Sequence, residues 1–192
     1  PREYSSAASD VYKRQPSVYA STKLSGESLS KIILEDTNTN LIISRFFTVY
    51  GPYGRPDMSI LRFIHWIINE EKVKVFGNGE QQRSFTYIKD VVDALRRMSG
   101  LENSHTFNVG SNITVSLNEV IKLIEEFSGK NANIENLERA YKDPDVVRPN
   151  LEKINEATGW EPTTKIQEGI GKTVSWYKEN EDYLKDLVYV NE

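Results

Sequence analysis

The 192-residue sequence contains no cysteine and only two histidines, His65 and His105. The absence of cysteine excludes disulfides, thiolate metal sites and a cysteine nucleophile. It is compatible with a reducing compartment, so we expect a cytoplasmic location. Both histidines are interpreted as structural, because two are too few for a histidine metal cluster, and no metal is expected. No apolar run approaches the roughly 20 residues that a membrane-spanning helix needs, so no membrane partner is expected.

Basic residues are also fewer than acidic ones, with 24 Lys and Arg against 28 Asp and Glu. The formal net charge is −4 and the pI is about 5.4. A net negative surface is not attracted to phosphate backbones or anionic lipids, so a nucleic-acid partner is not expected. Hydrophobic residues make up 38% and charged residues 27% of the chain. This composition indicates a folded protein with a buried core, and the length suits one domain or one large and one small lobe.

Helical and strand patterns alternate along the chain. Apolar periodicity predicts helices over 17–35, 59–71, 89–100, 152–158 and 166–183, with a further helix after the capping box formed by Ser116 and Glu119. Runs rich in β-branched residues predict strands over 40–46, 72–76, 105–110 and 131–138. We expect the strand at 40–46 to be buried and Ser59 to cap the second helix. This alternation predicts an α/β fold with parallel strand pairing.

The stretch SVYASTKLSG places Tyr19 and Lys23 four residues apart in the first predicted helix. Residues i and i+4 share one helix face, so both side chains can point at one ligand. A nearby ammonium group favours the phenolate form of a tyrosine, which can then accept a proton from an alcohol. Composition alone yields about one such pair by chance, so the spacing is weak evidence for catalysis.

Five stretches in fixed order add context to this pair. They read PSVYASTKLSGE, RFFTVYGPYGRPDM, VFGNGEQQRSFTYIKDVVDAL, FNVG and GWEP. Together they resemble the nucleotide-sugar epimerase/dehydratase branch of the extended short-chain dehydrogenase/reductases. The resemblance runs from about Pro16 to Tyr177. The second stretch is the most specific, and it is similar to UDP-glucuronate 4-epimerases and related UDP-hexose 4-epimerases.

The resemblance implies a particular architecture. The chain would be the C-terminal part of a Rossmann-type parallel sheet with helices, plus a small α/β substrate-binding lobe. Residues 1–50 and 84–110 would form the remainder of the dinucleotide-binding lobe, and residues 51–83 and 111–192 the substrate-binding lobe. Residues 1–16 are set apart as non-native or disordered. The complete protein would be a homodimer.

The same resemblance assigns the catalytic and cofactor residues. Tyr19 would be the catalytic base, and Lys23 its partner and a ligand of NAD. Phe46 would contact the cofactor. The family also has a catalytic serine or threonine before the tyrosine, for which Ser6, with Ser5 beside it, is the candidate. The spacing from Ser6 to Tyr19 is about half the family's usual length.

Five further residues are candidate substrate ligands by resemblance. Thr48 and Arg55 would hold the sugar, and Arg55 suits a carboxylate because its guanidinium can bind one through two hydrogen bonds. Phe76 would pack near the uracil, while Arg83 and Asp145 would hold the UDP. Taken without the resemblance, these residues have ordinary alternatives: a turn hydroxyl, a loop arginine, a core phenylalanine and a solvated arginine.

The function implied is that of a UDP-sugar 4-epimerase acting on UDP-glucuronate or UDP-glucose/galactose. Such an enzyme transfers a hydride transiently to NAD and forms a 4-keto sugar. A nucleotide-sugar 4,6-dehydratase, a UDP-glucuronate decarboxylase and a non-catalytic fragment are the alternatives. The glycine-rich dinucleotide fingerprint of the family does not occur in the sequence. We therefore expect an N-terminally truncated chain that is inactive alone.

Overall fold

A computed structural model describes residues 18–138, 145–185 and 187. Helices and strands alternate along them as predicted. The helices are α1 (Val18–Leu34), α2 (Ser59–Ile68), α3 (Ile88–Met98), α4 (Leu117–Ser128), α5 (Glu152–Thr158), α6 (Ile166–Glu179) and α7 (Glu181–Leu184). The strands are β1 (Ile42–Phe46), β2 (Val49–Tyr50), β3 (Lys72–Phe76), β4 (Gln82–Arg83), β5 (Thr86–Tyr87), β6 (His105–Val109), β7 (Val115–Ser116), β8 (Asn133–Leu137) and β9 (Val146–Val147).

The two five-residue strand pairs are both parallel. Strand β1 pairs with β6, in a register that aligns Ile42 with His105 and Phe46 with Val109. Strand β3 pairs with β8 along its whole length. Parallel neighbours need a crossover connection, which the intervening helices provide. The predicted α/β fold with parallel pairing is therefore confirmed.

Short strands connect distant parts of the chain. Strand β2 pairs in parallel with β5. Strand β4 lies at the centre of a small sheet, antiparallel to β7 and parallel to β9. These pairings place the segment after β3 beside the segment that begins at Asp145, more than 60 residues later in the sequence.

The larger hydrophobic core surrounds α2. Six of its ten residues are buried, because apolar side chains recur along it at helical spacing. They pack against β3, α4 and α6, whose own buried residues include Val73, Ile124 and Val174. Gly169 of α6 allows Tyr50 to approach closely, since a Cβ at this glycine would lie 2.0 Å from the Tyr50 hydroxyl oxygen.

A second, smaller core lies beneath the β1–β6 pair. Phe107 and Val109 of β6 pack with Ala94 and Met98 of α3 and with Trp160, which is fully buried after α5. The indole Nε1 of Trp160 donates a hydrogen bond to the backbone oxygen of Asp90 at 3.0 Å. This bond satisfies a polar atom that would otherwise be costly to bury.

Helix α1 and strand β1 are much less covered. Only Ala20 is buried in the seventeen residues of α1, and the apolar side chains of Leu29, Ile32 and Ile33 are each more than half exposed. The expectation that the strand at 40–46 is buried is wrong, since no residue of β1 is buried. Among the described residues β1 has a partner along one edge only, which leaves the strand partly open.

Helix ends agree with the sequence in some places and differ in others. The capping box at Ser116 and Glu119 is confirmed, with Glu119 N to Ser116 Oγ at 3.2 Å. The prediction that Ser59 caps α2 is wrong: Met58 occupies the cap position without a side-chain hydrogen bond. The predicted helix 166–183 is two helices, α6 and α7, separated at Asn180. None of the described helices is long and apolar enough to cross a membrane.

Candidate functional site

Tyr19 and Lys23 lie in the first turns of α1. The ammonium nitrogen of Lys23 is 5.3 Å from the centre of the Tyr19 ring, within the range of a cation–π contact. The Tyr19 side chain is 61% exposed, and Lys23 is exposed as well. The shared helix face that the spacing predicts is therefore confirmed, and both functional groups are open to a ligand.

The loop between β2 and α2 carries Arg55. Its guanidinium donates two hydrogen bonds to the Asp57 carboxylate, with Nε to Oδ1 at 3.0 Å. This pairing raises the pKa of Arg55, mainly through the hydrogen bond to Asp57, with a smaller electrostatic contribution from the Tyr19 phenol.

Thr48 and Arg55 line the same cleft. Its walls also include Val49 and Met58, and Thr173 reaches it from α6. The backbone oxygen of Thr48 accepts a hydrogen bond from Thr86 N at 2.9 Å, which fixes Thr48 just past the carboxyl end of β1. Ligands of open α/β sheets bind at this end of the strands. Thr48 and Arg55 therefore both line one small pocket of about 10 Å³, roughly the room that a single water molecule needs.

Tyr53, in the loop that carries Arg55, contacts two other aromatic side chains. Tyr53 has a positive φ of 59°, which is unusual for a residue other than glycine. Its ring lies 5.0 Å from that of Trp176 on α6 and 6.4 Å from that of Tyr183. Sequence reasoning did not identify Tyr53 or Trp176, because the two are far apart in the chain and neither carries a local signal.

Two of the three predicted nucleotide ligands, Arg83 and Asp145, lie together. Phe76 ends β3 and is 39% exposed. Arg83 lies in β4, and its Nη1 donates to the backbone oxygen of Gln82 at 2.8 Å and approaches that of Asp145 at 3.5 Å. The Gln82 amide also donates to the Asp145 oxygen at 2.7 Å. Arg83 and Asp145, 62 positions apart, thus lie side by side, and Phe76 precedes the turn that leads to β4.

Two other predictions have different outcomes. Ser6, the candidate catalytic serine, and Ser5 lie outside the described residues. Phe46 ends β1 and is 47% exposed, which leaves its ring available to a ligand.

The described residues contain no group of three or more histidine, aspartate or glutamate side chains arranged to hold a metal ion. A wider cleft beside Lys31, Leu41 and His105 contains none of the predicted site residues.

Sequence comparison identifies the family. Residues 1–110 match the NAD dependent epimerase/dehydratase family. The chain belongs to this family. The match covers more than half of the chain and includes the pair Tyr19 and Lys23, the strand β1 and the Arg55 loop.

Individual relatives agree with the family. The UDP-glucuronate 4-epimerase of Thermodesulfobacterium geofontis is 38% identical over 89% of this chain and 53% of its own length. UDP-glucuronic acid decarboxylase 2 of Arabidopsis thaliana is 30% identical over 85% of this chain and 37% of its own. The solved structure of MoeE5 in complex with UDP-glucuronic acid and NAD superimposes with a TM-score of 0.82 at 31% identity, covering 87% of this chain and 57% of that one. The chain thus spans about half the length of the bacterial epimerase and of MoeE5, and 37% of the plant enzyme.

The exposed groups of α1 and β1 fit part of a nicotinamide dinucleotide site. Lys23 offers hydrogen-bond donors of the kind that bind ribose hydroxyls, and the Phe46 ring lies open at the carboxyl end of β1. The glycine-rich turn that binds the pyrophosphate of such a cofactor does not occur in the 192 residues. The chemistry of Lys23 and Phe46 thus suits the nicotinamide-ribose part of such a cofactor, and the pyrophosphate-binding turn is not among the 192 residues.

Proposed function

We propose that this chain forms the substrate-binding half of an NAD-dependent UDP-sugar 4-epimerase that acts on UDP-glucuronate. The observation that carries the proposal is the exposed pair of Tyr19 and Lys23 on one face of α1, with the Lys23 ammonium nitrogen 5.3 Å from the centre of the Tyr19 ring. The chain therefore carries an exposed proton acceptor, and Thr48 and Arg55, which line one pocket, are polar side chains suited to a sugar. The 38% identity to a UDP-glucuronate 4-epimerase supports the same activity.

Tyr19 would act as the base of the reaction. As a phenolate it removes the proton from the sugar 4-hydroxyl, and as a phenol it returns the proton after the sugar has turned over in the pocket. Lys23, whose ammonium nitrogen lies 5.3 Å from the ring centre, would be its partner on the same helix face. Bound NAD supplies the acceptor and then the donor of the hydride at sugar C4. Phe46 and Lys23 orient it, and Ser6 is the proposed catalytic serine.

Arg55 would recognise the uronate carboxylate. Its two donor nitrogens already hold a carboxylate, that of Asp57, in the two-bonded geometry that a uronate group would adopt. The Arg55 side chain is 76% exposed, so a substrate carboxylate can reach it and replace Asp57. Thr48 would hold a sugar hydroxyl from the other side of the cleft.

Phe76, Arg83 and Asp145 would bind the UDP portion. The Phe76 ring offers a stacking surface for uracil, and Arg83 a guanidinium for the diphosphate. Asp145 lies against Arg83 through the β4–β9 pairing. Residues 51–83 and 111–192 would then form the substrate-binding lobe, and residues 1–50 and 84–110 part of the dinucleotide-binding lobe. The whole protein would be a cytoplasmic homodimer.

The test of this function is product analysis in the whole protein. Incubation with UDP-glucuronate and NAD, followed by NMR of the sugar, is expected to give UDP-galacturonate. Tyr19→Phe is expected to reduce turnover about 10²–10⁴-fold, because it removes the general base, while UDP-sugar binding changes little. Unchanged turnover in the variant would exclude Tyr19 as the base.

A second candidate is a UDP-glucuronate decarboxylase, favoured by the 30% identity to the plant enzyme. Release of CO₂ and a pentose product would replace the epimerase assignment, and a 4-keto-6-deoxy product formed from UDP-glucose in a parallel incubation would indicate a dehydratase. Titration of the 192-residue chain with UDP and with NAD tests the fragment alternative. UDP binding without NAD binding is the expected result, because the glycine-rich turn is missing.

A further inference from the structure

We propose that Asn118 is a positioning residue that holds the turn at residues 77–81 in the shape that presents Phe76 and Arg83 to a nucleoside diphosphate. This inference rests on the proposed function, since it takes Phe76 and Arg83 as nucleotide ligands. The turn connects β3, which ends at Phe76, to β4, which contains Arg83. Its shape therefore sets the separation and orientation of the two side chains.

Asn118 lies in the first turn of α4 and contacts the turn three times. Its backbone nitrogen donates to the oxygen of Gly79 at 3.2 Å. Its side-chain Nδ2 donates to the backbone oxygen of Asn78 at 3.0 Å and to Glu80 Oε1 at 2.6 Å. One residue thus makes a hydrogen bond to each of three successive residues at the tip of the turn.

Gly79 shows how close this contact is. A Cβ at Gly79 would lie 2.0 Å from Asn118 Oδ1 and 2.7 Å from its Cγ. Gly79 also has a φ of +77°, a conformation that glycine adopts without strain. Glycine at position 79 therefore allows the backbone conformation of the turn and leaves room for the side chain of Asn118, which lies 39 positions later in the sequence.

The capping box of α4 fixes Asn118 in its turn. Ser116 and Glu119 exchange hydrogen bonds around the helix start, so the position of residue 118 is determined by a rigid helix end. Other bonds brace the flanks of the turn: Gln81 Nε2 donates to the backbone oxygen of Phe76 at 2.9 Å, and Thr114 Oγ1 donates to Gln82 Oε1 at 2.7 Å. Within the tip Glu80 N donates to Asn78 Oδ1 at 3.1 Å, and Asn118 holds the tip from outside the turn.

Calorimetric titration of the 192-residue chain with UDP tests the inference. Asn118→Ala is expected to weaken UDP binding roughly tenfold, because the free turn must then be ordered during binding. The matched control is Asn131→Ala, an exposed asparagine outside the turn, which is expected to bind UDP as the unsubstituted chain does. Equal UDP affinity of Asn118→Ala and the unsubstituted chain would overturn the inference.

Exchanging the donor and the acceptor of the hydrogen bond between Asn118 and Glu80 distinguishes a positioning role of Asn118 from a general loss of stability. Asn118→Asp keeps the side-chain size but places two carboxylates together at Glu80, and it is expected to weaken UDP binding at least as much as Asn118→Ala. Adding Glu80→Gln restores a hydrogen bond with the opposite polarity and is expected to recover part of the affinity. Recovery of the melting temperature without recovery of affinity would contradict a positioning role.

Amide hydrogen exchange distinguishes a failure of this inference from a failure of the proposed function. In Asn118→Ala the amides of residues 77–82 are expected to exchange at least several-fold faster, whether or not UDP binds. If the unsubstituted chain binds no UDP, the nucleotide site is wrong, and unchanged exchange in the variant would overturn the role of Asn118 as well. Gly79→Ala should also weaken UDP binding, whereas Gly129→Ala, with a similar φ of +76° and nothing within 4 Å, should not.

Discussion

Helices α1 and α2 differ in the fraction of their residues that is buried. Helix α1 has seventeen residues and buries one, whereas α2 has ten residues and buries six. Helix α1 carries the pair Tyr19 and Lys23, and α2 carries Trp66 and Phe63, two of the largest buried side chains. The difference shows that the region around α2 supplies the stability of the chain, while α1 supplies exposed functional groups.

The largest expected effect is in α2. Trp66→Ala removes an indole that is 2% exposed, and loss of a large buried aromatic side chain costs about 3–5 kcal/mol of unfolding free energy. Urea denaturation of the chain measures the change. The control is Ile33→Ala in α1, where the side chain is 71% exposed and a change within about 0.5 kcal/mol is expected. If Ile33→Ala lowered the unfolding free energy as much as Trp66→Ala does, α1 and α2 would not differ in their contribution to stability.

Gly169 in α6 and Gly26 in α1 differ in the space around them, so alanine is expected to have opposite effects on stability at the two positions. Gly169→Ala places a Cβ 2.0 Å from the hydroxyl oxygen of Tyr50, a residue 5% exposed whose pKa burial raises well above its ordinary value. This overpacking is expected to cost about 1–3 kcal/mol by chemical denaturation. Gly26→Ala in α1 has nothing within 4 Å and should stabilise the chain by roughly 0.5–1 kcal/mol through helix propensity. Tyr50→Phe should offset part of the Gly169→Ala cost.

An ion pair fixes α1 to β1. Glu27 accepts hydrogen bonds from Arg45 Nε at 2.7 Å and Nη2 at 2.6 Å, and both side chains are less than one-fifth exposed. The hydrogen bond to Arg45 lowers the pKa of Glu27 below its usual 4.5. The pair therefore contributes stability above pH 4.5 that is lost as the pH falls through the lowered pKa.

Replacing Glu27 tests this contribution. Glu27→Gln is expected to cost about 1–3 kcal/mol at pH 7, because it leaves the partly buried Arg45 without its charged partner. The exposed pair of Glu168 and Lys172 is the control, and Glu168→Gln should cost less than about 1 kcal/mol. Urea denaturation at pH 7 and pH 4 compares the two variants. Equal costs would mean that the α1–β1 contact is no better shielded than an ordinary surface pair.

The smallest expected effect is a pH dependence within the core region. His65 Nδ1 lies 2.7 Å from the hydroxyl of Tyr177, and its Nε2 lies 3.5 Å from Glu71. Burial lowers the pKa of His65 below its usual 6.5, and Glu71 opposes this shift. The unfolded chain then binds the proton more tightly, so stability is expected to fall as the pH drops through about 6.5. Melting curves from pH 5 to 8 should show a weaker dependence in His65→Gln, and an identical dependence would contradict the assignment.

Local sequence patterns were sufficient for most elements of the fold. The helix at 17–35, the strands at 72–76 and 105–110 and the capping box at Ser116 depend on residues close in sequence, and each is present. Ser59 was wrongly assigned as a cap because a serine just before an apolar run satisfies the same local pattern whether it is the cap or the first helical residue. Only the backbone conformation of Met58 separates the two.

Burial was predicted less well than the elements themselves. The residues of β1 have the composition of a buried strand, yet every one is at least partly exposed. Composition reports what a strand is suited to, whereas burial depends on what lies beside it. The aromatic contact of Tyr53 with Trp176 and the hydrogen bonds of Asn118 to the turn were missed for a related reason, because neither residue is unusual within its own segment.

The sequence by itself determined the alternation of helices and strands, the shared face of Tyr19 and Lys23, and the family, because each is encoded over short spacings or in an ordered set of motifs. Only the tertiary structure decided that Thr48 and Arg55 line one pocket, that Arg83 approaches the backbone of Asp145, and that Asn118 forms hydrogen bonds to the turn after Phe76. These contacts form between segments that the strand pairings and helix packing bring together. No local pattern specifies which distant segment will be the neighbour.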